Sequence, residues 1–356
     1  MDKNNTYFVR WGAWALLLCA LLFSLRYVFE GLGNVMDPLY WMHKYAHAEG
    51  GWMASGTIVI GHMLVSIFGE QLMPLRLVGW LCVVVAIVLP YCMLLDSKQR
   101  KTNILWLVIA LMLMNYGAFQ EFSPGTLTVL CLSSLWCVFI RFQRTKKRVW
   151  LIILGLLTGV SVVIRFPNIL VLPIVLVALC MLTDLPWLMR LRYMVWYILS
   201  VLIGAGMLYG IAWVVMTPAY MDAAMGSHQI SSMIEQLWTK GALLFGMAAI
   251  WVGVVFAGRE LNRRWSHAPW CNAAMYGIGL VVAFFIAHYI AFVPKEKQWY
   301  NIDLTYMVSA LCLVLAVLSG KKELWWGTLL MVVAPLGTDT AWMKLFPAVL
   351  CLLPIA

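Results

Sequence analysis

Two histidines and a nearby acid have side-chain types and a spacing that could support chemistry. His43 and His47 are four residues apart, which puts both imidazoles on one face of a helix, and Glu49 follows them. This spacing is acceptable for a bound metal ion. The sequence places no third ligand beside them. We therefore favour a polar interfacial face, or contacts to an acceptor substrate, over a metal site.

Four further charged residues each allow a functional and a structural interpretation. Asp37 precedes Pro38 and could be a helix N-cap, while Glu121 could be a solvated cap at a helix mouth. Arg76 and Arg165 could extend to lipid headgroups and bind no substrate. The residues alone leave these alternatives open, so the elements that would position them have to be considered next.

The composition is that of a membrane protein. Of the 356 residues 63% are hydrophobic and 11% are charged, and the mean hydropathy is +0.88. A soluble domain could not bury that much apolar surface. The formal net charge of +10 lies in short turns between apolar segments, where membrane topology explains it, so nucleic acid is excluded as a partner. The nine cysteines include no CxxC pair and suggest neither a disulfide framework nor a zinc site.

Charge alternates along the chain and predicts its topology. Of the 25 Lys and Arg residues 17 lie in one set of segments, which holds only 5 of the 15 acids: residues 1–10 and the connections around Lys98, Arg144, Arg190, Arg263 and Lys321. Positive charge stays with the cytoplasm. We therefore predict a multi-pass protein of a bacterial cytoplasmic (inner) membrane, with a cytoplasmic N-terminus and acid-bearing loops that face outward.

The predicted fold is an all-α polytopic membrane protein with about 11–12 transmembrane helices. It forms a single transmembrane domain over residues 1–356, and we expect a C-terminal portion to be missing because the last apolar segment is too short to finish a span. The predicted spans are residues 11–29, 77–95, 104–117, 127–140, 150–164, 169–183, 194–216, 243–257, 273–292, 304–318 and 324–336.

The first outward loop, residues 30–76, is predicted to carry interfacial helices. One is a short amphipathic helix opened by Asp37, with Pro38 in its first turn, where proline costs least. The next apolar segment, residues 57–69, is too short for a span of roughly 20 residues. We therefore expect it to be interfacial or re-entrant.

Three phrases of this region resemble the GT-C superfamily of integral-membrane glycosyltransferases, which includes protein mannosyltransferases and lipid A aminoarabinose transferases. The first is IFGEQLMPLRL, with Phe68, Gly69, Leu75, Arg76 and Leu77 at the matching positions. The others are QEFSPGTLTVLCL, with Glu121 at the outer start of a span, and GLLTGVSVVIRFPNILVLP, which contains Arg165. The resemblance rests on the order of these phrases along the chain, and it covers roughly residues 11–180.

The resemblance implies a sugar donor linked to polyprenyl phosphate, since nucleotide sugars are not available at the outer face. It implies that Asp37 is the general base and that Glu121 is a second carboxylate, either a hydrogen-bonding partner or a ligand of a divalent cation. Glu30 is an alternative base, because the paired acids of many members are absent after the first span here. Arg76 and Arg165 are candidate phosphate binders, since a guanidinium grips phosphate with paired donors.

Two other functions compete with an inverting glycosyltransferase that modifies an envelope glycan, lipid or protein. A transporter or flippase of lipid-linked saccharides would carry charges near the middle of the membrane and repeated halves, and neither is found in the sequence. A polysaccharide polymerase or ligase usually carries its large outward loop later in the chain, so the long first loop argues against it. A noncatalytic scaffold is a further alternative that the sequence leaves open.

Overall fold

A computed structural model describes residues 3–29, 36–50, 54–96, 100, 103–113, 122–182 and 184–216, together with isolated residues between 249 and 330. Every regular element in this part of the chain is helical, which confirms the all-α prediction. The prediction of about 11–12 spans extends over residues 217–356, nearly all of which lie outside the described residues.

Nine α-helices follow one another in the described ranges, and a 3-10 helix, Phe166–Leu170, joins the seventh to the eighth. They are α1 (Lys3–Phe29), α2 (Met36–Ala46), α3 (Ser55–Phe68), α4 (Leu72–Leu94), α5 (Ile104–Leu113), α6 (Pro124–Thr145), α7 (Arg148–Ile164), α8 (Val171–Cys180) and α9 (Trp187–Val215).

Three of these helices, α4, α6 and α9, are long and apolar enough to cross a membrane. Helix α6 is the most enclosed of them, since 78% of its 18-residue apolar stretch is buried inside the protein. In α9, 22% of the corresponding stretch is buried. Apolar residues of α9, such as Val214, Leu202 and Met207, are exposed within the described part of the chain.

Close packing of α7 against α9 depends on three glycines. A Cβ on Gly155 would lie 2.7 Å from the Tyr197 carbonyl oxygen, and one on Gly159 would lie 2.1 Å from the Val201 carbonyl oxygen. Gly204 meets Leu156 in the same way from the other side. Small residues therefore let the two backbones touch. The pair Gly206 and Gly210 has the same spacing, but a Cβ on either glycine would meet no atom of the described residues within 4 Å.

The basic connections gather at one end of the bundle, which we call the Lys146 end. Lys146 Nζ lies 3.0 Å from Asp184 Oδ2, and the Lys146 carbonyl accepts a hydrogen bond from Tyr193. Arg144 donates to the Leu94 carbonyl and Arg190 to the Cys180 carbonyl. The turns that end α4, α6 and α8 are thus neighbours, as is expected when successive helices run in opposite directions through the bundle.

The opposite end, which we call the Ser123 end, holds the start of α6 and the last turns of α7 and α9. Helix α3 lies across it. Its first turn is bound to the last residue of α7 through the Thr57 hydroxyl, which donates to the Ile164 carbonyl over 2.9 Å. Its last residue, Phe68, is only four positions before α4 begins at Leu72. With 14 residues it spans about 21 Å, less than the roughly 30 Å that a crossing requires.

Several predicted boundaries are shifted in the structure. Helix α4 begins at Leu72, five residues before the predicted span, and α6 and α9 also begin earlier than predicted. The predicted span over residues 169–183 is divided into the 3-10 helix and α8, because Pro167 lies in the first turn of a new element and α7 has already ended at Ile164. Helix α5 is described as far as Leu113, and residues 114–117 of its predicted span lie outside the described residues.

Candidate functional site

A buried apolar cluster lies at the Ser123 end, and three of its members are next to predicted site residues in the sequence. We call it the α3 cluster; it comprises Tyr45, Ile58, Val59, Val65, Leu75, Cys82, Phe122, Leu127, Cys131, Ile164, Ala212 and Met216. Leu75 immediately precedes Arg76, Phe122 immediately follows Glu121, and Ile164 immediately precedes Arg165. Chain segments with these three predicted residues therefore meet at one cluster.

Two hydrogen bonds fix the chain on either side of Phe122. The Phe122 amide donates to the Leu75 carbonyl over 3.1 Å, which joins the approach to α6 to the first turn of α4. The Tyr45 hydroxyl of α2 donates to the Phe122 carbonyl over 3.0 Å. Ser123 then caps α6, since its hydroxyl accepts from the Thr126 amide and its own amide donates to the Thr126 hydroxyl.

Arg76 lies in α4, one residue after the carbonyl that Phe122 binds, and is half-buried. Glu121 precedes Phe122 in the sequence but lies outside the described residues, as does Glu30. The backbone of Asp37 is in the first turn of α2, which begins at Met36, and nothing is described of its side chain. The predicted amphipathic helix is therefore confirmed, although it begins at Met36, one residue before Asp37, which was predicted to open it. The roles of the three acids stay predictions.

Arg165 occupies a sharp bend between α7 and the 3-10 helix and is 4% exposed. Its amide donates to the Ser161 carbonyl over 3.0 Å, and its carbonyl accepts from the Asn168 amide over 3.0 Å. Snorkelling to lipid headgroups, the structural alternative for this residue, requires an extended and accessible side chain, which a 4% exposed arginine does not present.

His43 of α2 and His47, which directly follows α2, lie next to each other as the helical spacing predicted. Their ring centroids are 4.4 Å apart, His47 Nδ1 is 3.0 Å from the His43 carbonyl, and His43 Nε2 is 4.0 Å from Glu49 Oε2. Both side chains are on the exposed side of α2. No group of three or more His, Cys, Asp or Glu side chains that could hold a metal occurs among the described residues.

His62 is hydrogen-bonded within the protein, as expected for a histidine on an apolar helix, and its partner Tyr45 is a structural residue that the sequence did not indicate. His62 Nδ1 lies 2.7 Å from the Tyr45 carbonyl, and because a carbonyl only accepts, Nδ1 carries the proton. The Tyr45 ring packs on Gly61, where any Cβ would lie 2.3 Å from a ring carbon. These contacts join α2 to α3. The hydrogen bond joins the His62 side chain to a residue 17 positions away, and the helical periodicity of the sequence does not indicate such a pair.

Residues 57–195 match the family model described as dolichyl-phosphate-mannose-protein mannosyltransferase. No curated protein matches the chain. The matched region begins in α3 and ends in α9, so it includes Arg76, Glu121 and Arg165 but neither Asp37 nor Glu30. The match confirms the resemblance to GT-C glycosyltransferases and supports a multi-pass membrane glycosyltransferase that uses a lipid-linked sugar.

Proposed function

We propose that this GT-C-like chain transfers a sugar from a polyprenyl-phosphate carrier to an envelope glycan, lipid or protein at the outer face of a bacterial cytoplasmic membrane. The Ser123 end faces outward in this proposal, because the Lys146 end carries the basic turns and positive charge stays with the cytoplasm. The N-terminus is then cytoplasmic.

The proposed reaction is a single displacement with inversion at the anomeric carbon. A carboxylate takes the proton of the acceptor hydroxyl, whose oxygen attacks the anomeric carbon. The bond from that carbon to the phosphate oxygen breaks, and polyprenyl phosphate leaves with the bonding electron pair. Asp37 is the proposed base, with Glu30 as its alternative and Glu121 as the second carboxylate or the ligand of a divalent cation.

Two arginines would stabilise the departing phosphate in this scheme. Arg76 and Arg165 offer paired donors that match phosphate oxygens, and they act more strongly where water is excluded. His43 and His47, two exposed and neighbouring rings at the end of α2, would contact the acceptor. An acceptor-binding surface accounts better for two exposed rings than a metal site with no third ligand among the described residues.

The observation that carries the proposal is the convergence of chain segments on the α3 cluster. Leu75 of α4, Phe122 just before α6 and Ile164 of α7 are buried there together, so Arg76 and Arg165, which adjoin two of them in the sequence, come from different elements at one end of the bundle. A transport pathway would instead be expected to carry ionisable groups near the middle of the helices. The buried polar groups in the middle of α6 and α7, such as Ser133 and Thr158, are uncharged.

Replacing Asp37 by asparagine tests the base. The amide keeps the shape and most of the capping ability of the carboxylate, so loss of a cap alone would cost on the order of 1 kcal/mol and leave turnover intact. We expect transfer from a polyprenyl-phosphate sugar to fall by about 100-fold or more, with a melting temperature close to that of the wild type.

Glu30→Gln, assayed in parallel, distinguishes the two acids. Near-normal turnover of Asp37→Asn together with an inactive Glu30→Gln would transfer the role of base to Glu30. If the purified protein moved lipid-linked saccharide between leaflets of a vesicle and transferred no sugar to any envelope acceptor, the enzyme proposal would be wrong and the flippase alternative would replace it.

A further inference from the structure

The bend that carries Arg165 is held from three sides by buried hydrogen bonds. Within the bend, the Arg165 amide donates to Ser161 and the Arg165 carbonyl accepts from the Asn168 amide. From α3, the Thr57 hydroxyl donates to the Ile164 carbonyl. All of these side chains are buried. Arg165 is therefore attached to a backbone with little freedom to move.

Asn168 contributes most of the connections. Its side-chain amide nitrogen donates to the Ser161 carbonyl over 2.9 Å and to the Thr128 hydroxyl of α6 over 3.3 Å. The Ser161 carbonyl thus accepts from both the Arg165 amide and the Asn168 side chain. One residue connects the end of α7, the bend and α6.

The oxygen of the Asn168 side chain, in contrast to its nitrogen, lowers the stability of the fold. Its Oδ1 atom is buried and has no hydrogen-bond partner among the described residues. An unsatisfied buried acceptor destabilises the folded protein, and an apolar side chain of similar size would avoid that loss. The Ser161 carbonyl fixes the orientation of the amide, because a carbonyl requires a donor and only the nitrogen supplies one. The two donated bonds are therefore the reason to place an asparagine here.

We infer that Asn168 is a positioning residue, which holds the bend so that Arg165 is set to bind the phosphate of the lipid carrier. The inference rests on the phosphate role proposed above for Arg165. An arginine fixed in advance loses less freedom when it grips a phosphate, so preorganisation raises affinity without any contact between Asn168 and the ligand. The recognised chemistry is a phosphate monoester or diester on a prenyl chain.

Binding of long-chain polyprenyl phosphate to the purified full chain tests this role, with polyprenol as the phosphate-free control. Asn168→Leu removes both donors and the unsatisfied oxygen at similar volume, and the Ser161 carbonyl keeps its bond from the Arg165 amide. We expect affinity for polyprenyl phosphate to fall about tenfold, with the melting temperature near that of the wild type and polyprenol binding unchanged.

A matched variant and a double mutant separate positioning from general loosening. Ser133→Ala removes another buried hydrogen bond of α6, to the Ala86 carbonyl, away from the bend, and should leave phosphate affinity unchanged. In an Arg165→Ala background, Asn168→Leu should cause no further loss, since it acts through the arginine. Should Asn168→Leu not fold, Thr128→Val, which removes one of the two acceptors of Asn168, is expected to reduce affinity by a smaller factor.

The outcomes distinguish this inference from the proposed function. Unchanged binding by Arg165→Ala contradicts the phosphate role of the arginine, and the inference fails with it. Weak binding by Arg165→Ala beside normal binding by a folded Asn168→Leu overturns the positioning role alone. An equal loss from Asn168→Leu with and without Arg165 shows that Asn168 acts by another route and also overturns it.

Discussion

The Tyr45 hydroxyl donates a hydrogen bond to the Phe122 carbonyl over 3.0 Å and so joins two residues that are 77 positions apart in the sequence. The Tyr45 ring also packs edge to face on the Phe122 ring, with centroids 5.6 Å apart. Helix α2, whose first turn includes Asp37, is attached through this residue to the segment that leads into α6. The location of the proposed base therefore depends on a contact that lies well away from it.

Removing the Tyr45 hydroxyl should loosen α2. Tyr45→Phe keeps the ring on Gly61 but leaves the buried Phe122 carbonyl without this donor, at a cost of roughly 1–3 kcal/mol. We expect a lower melting temperature and a lower kcat for sugar transfer. Tyr40→Phe is the control, since Tyr40 is on the same helix and is 53% exposed. Equal effects from both variants would show that the Phe122 contact has no special importance.

Gly69, between α3 and α4, adopts a backbone conformation open only to glycine. Its φ is 75° and its ψ is 179°, while a Cβ there would meet no atom within 4 Å. Gly69→Ala should therefore destabilise the protein through backbone strain alone, by about 1–3 kcal/mol in chemical or thermal unfolding. Gly12→Ala, in the open on α1, should be neutral or stabilising. An unchanged stability of Gly69→Ala would mean that the turn has a different conformation.

Gly159→Ala should separate α7 from α9. The new methyl group would lie 2.1 Å from the Val201 carbonyl oxygen and 2.5 Å from the Ala205 amide, and backbone atoms cannot rotate away. We expect a loss of stability of about 1–3 kcal/mol or more, the size found for overpacked cores. Gly210→Ala, with the same spacing motif but open space, should have little effect. The comparison of the two melting temperatures shows which of the small-residue pairs packs helices.

The orientation of the bundle can be tested by labelling the exposed turn between α6 and α7. Lys147→Cys, in a background without the native cysteines, places a single thiol at the Lys146 end. If α3 does not cross the membrane, a membrane-impermeant maleimide added outside intact cells should leave this thiol unlabelled until the cells are opened. Labelling from outside would mean that every later helix crosses the membrane in the opposite direction, which contradicts the positive-inside arrangement.

The sequence predicted which segments form helices wherever the length of an apolar segment and the charges beside it define the helix. The amphipathic helix α2 with Pro38 in its first turn, and the short segment that forms α3, both follow from local chemistry. The early start of α4 at Leu72 does not, because Arg76 resembles the end of a polar loop. An arginine is tolerated near a helix end in a membrane since its long stem reaches polar surroundings.

The candidate site was only partly predictable, because its supports are long-range. The Thr57 bond to Ile164 joins residues 107 positions apart, and the Asn168 bond to Thr128 joins residues 40 positions apart. No periodicity encodes such pairs. A polar residue in an apolar helix, such as Asn168 or Thr57, is nevertheless a usable signal, since a buried polar group has to find a partner.

The placement of α3 across the end of α7 has a consequence for the depth at which a phosphate would be held. Helix α7 has 17 residues and is about 25 Å long, a few ångströms short of a hydrocarbon layer about 30 Å thick. Helix α3, about 10 Å in diameter, lies on the end of α7 and would fill the remaining thickness of the hydrocarbon layer. Its Met63 and Ile67 side chains are apolar and 58% and 71% exposed, as expected for a helix in apolar surroundings. With the bundle embedded in this way, we expect Arg165 to lie beneath the headgroup plane, so a lipid carrier would have to sink its phosphate into the bilayer to reach it, and any soluble acceptor would meet the sugar in a recess of the membrane surface.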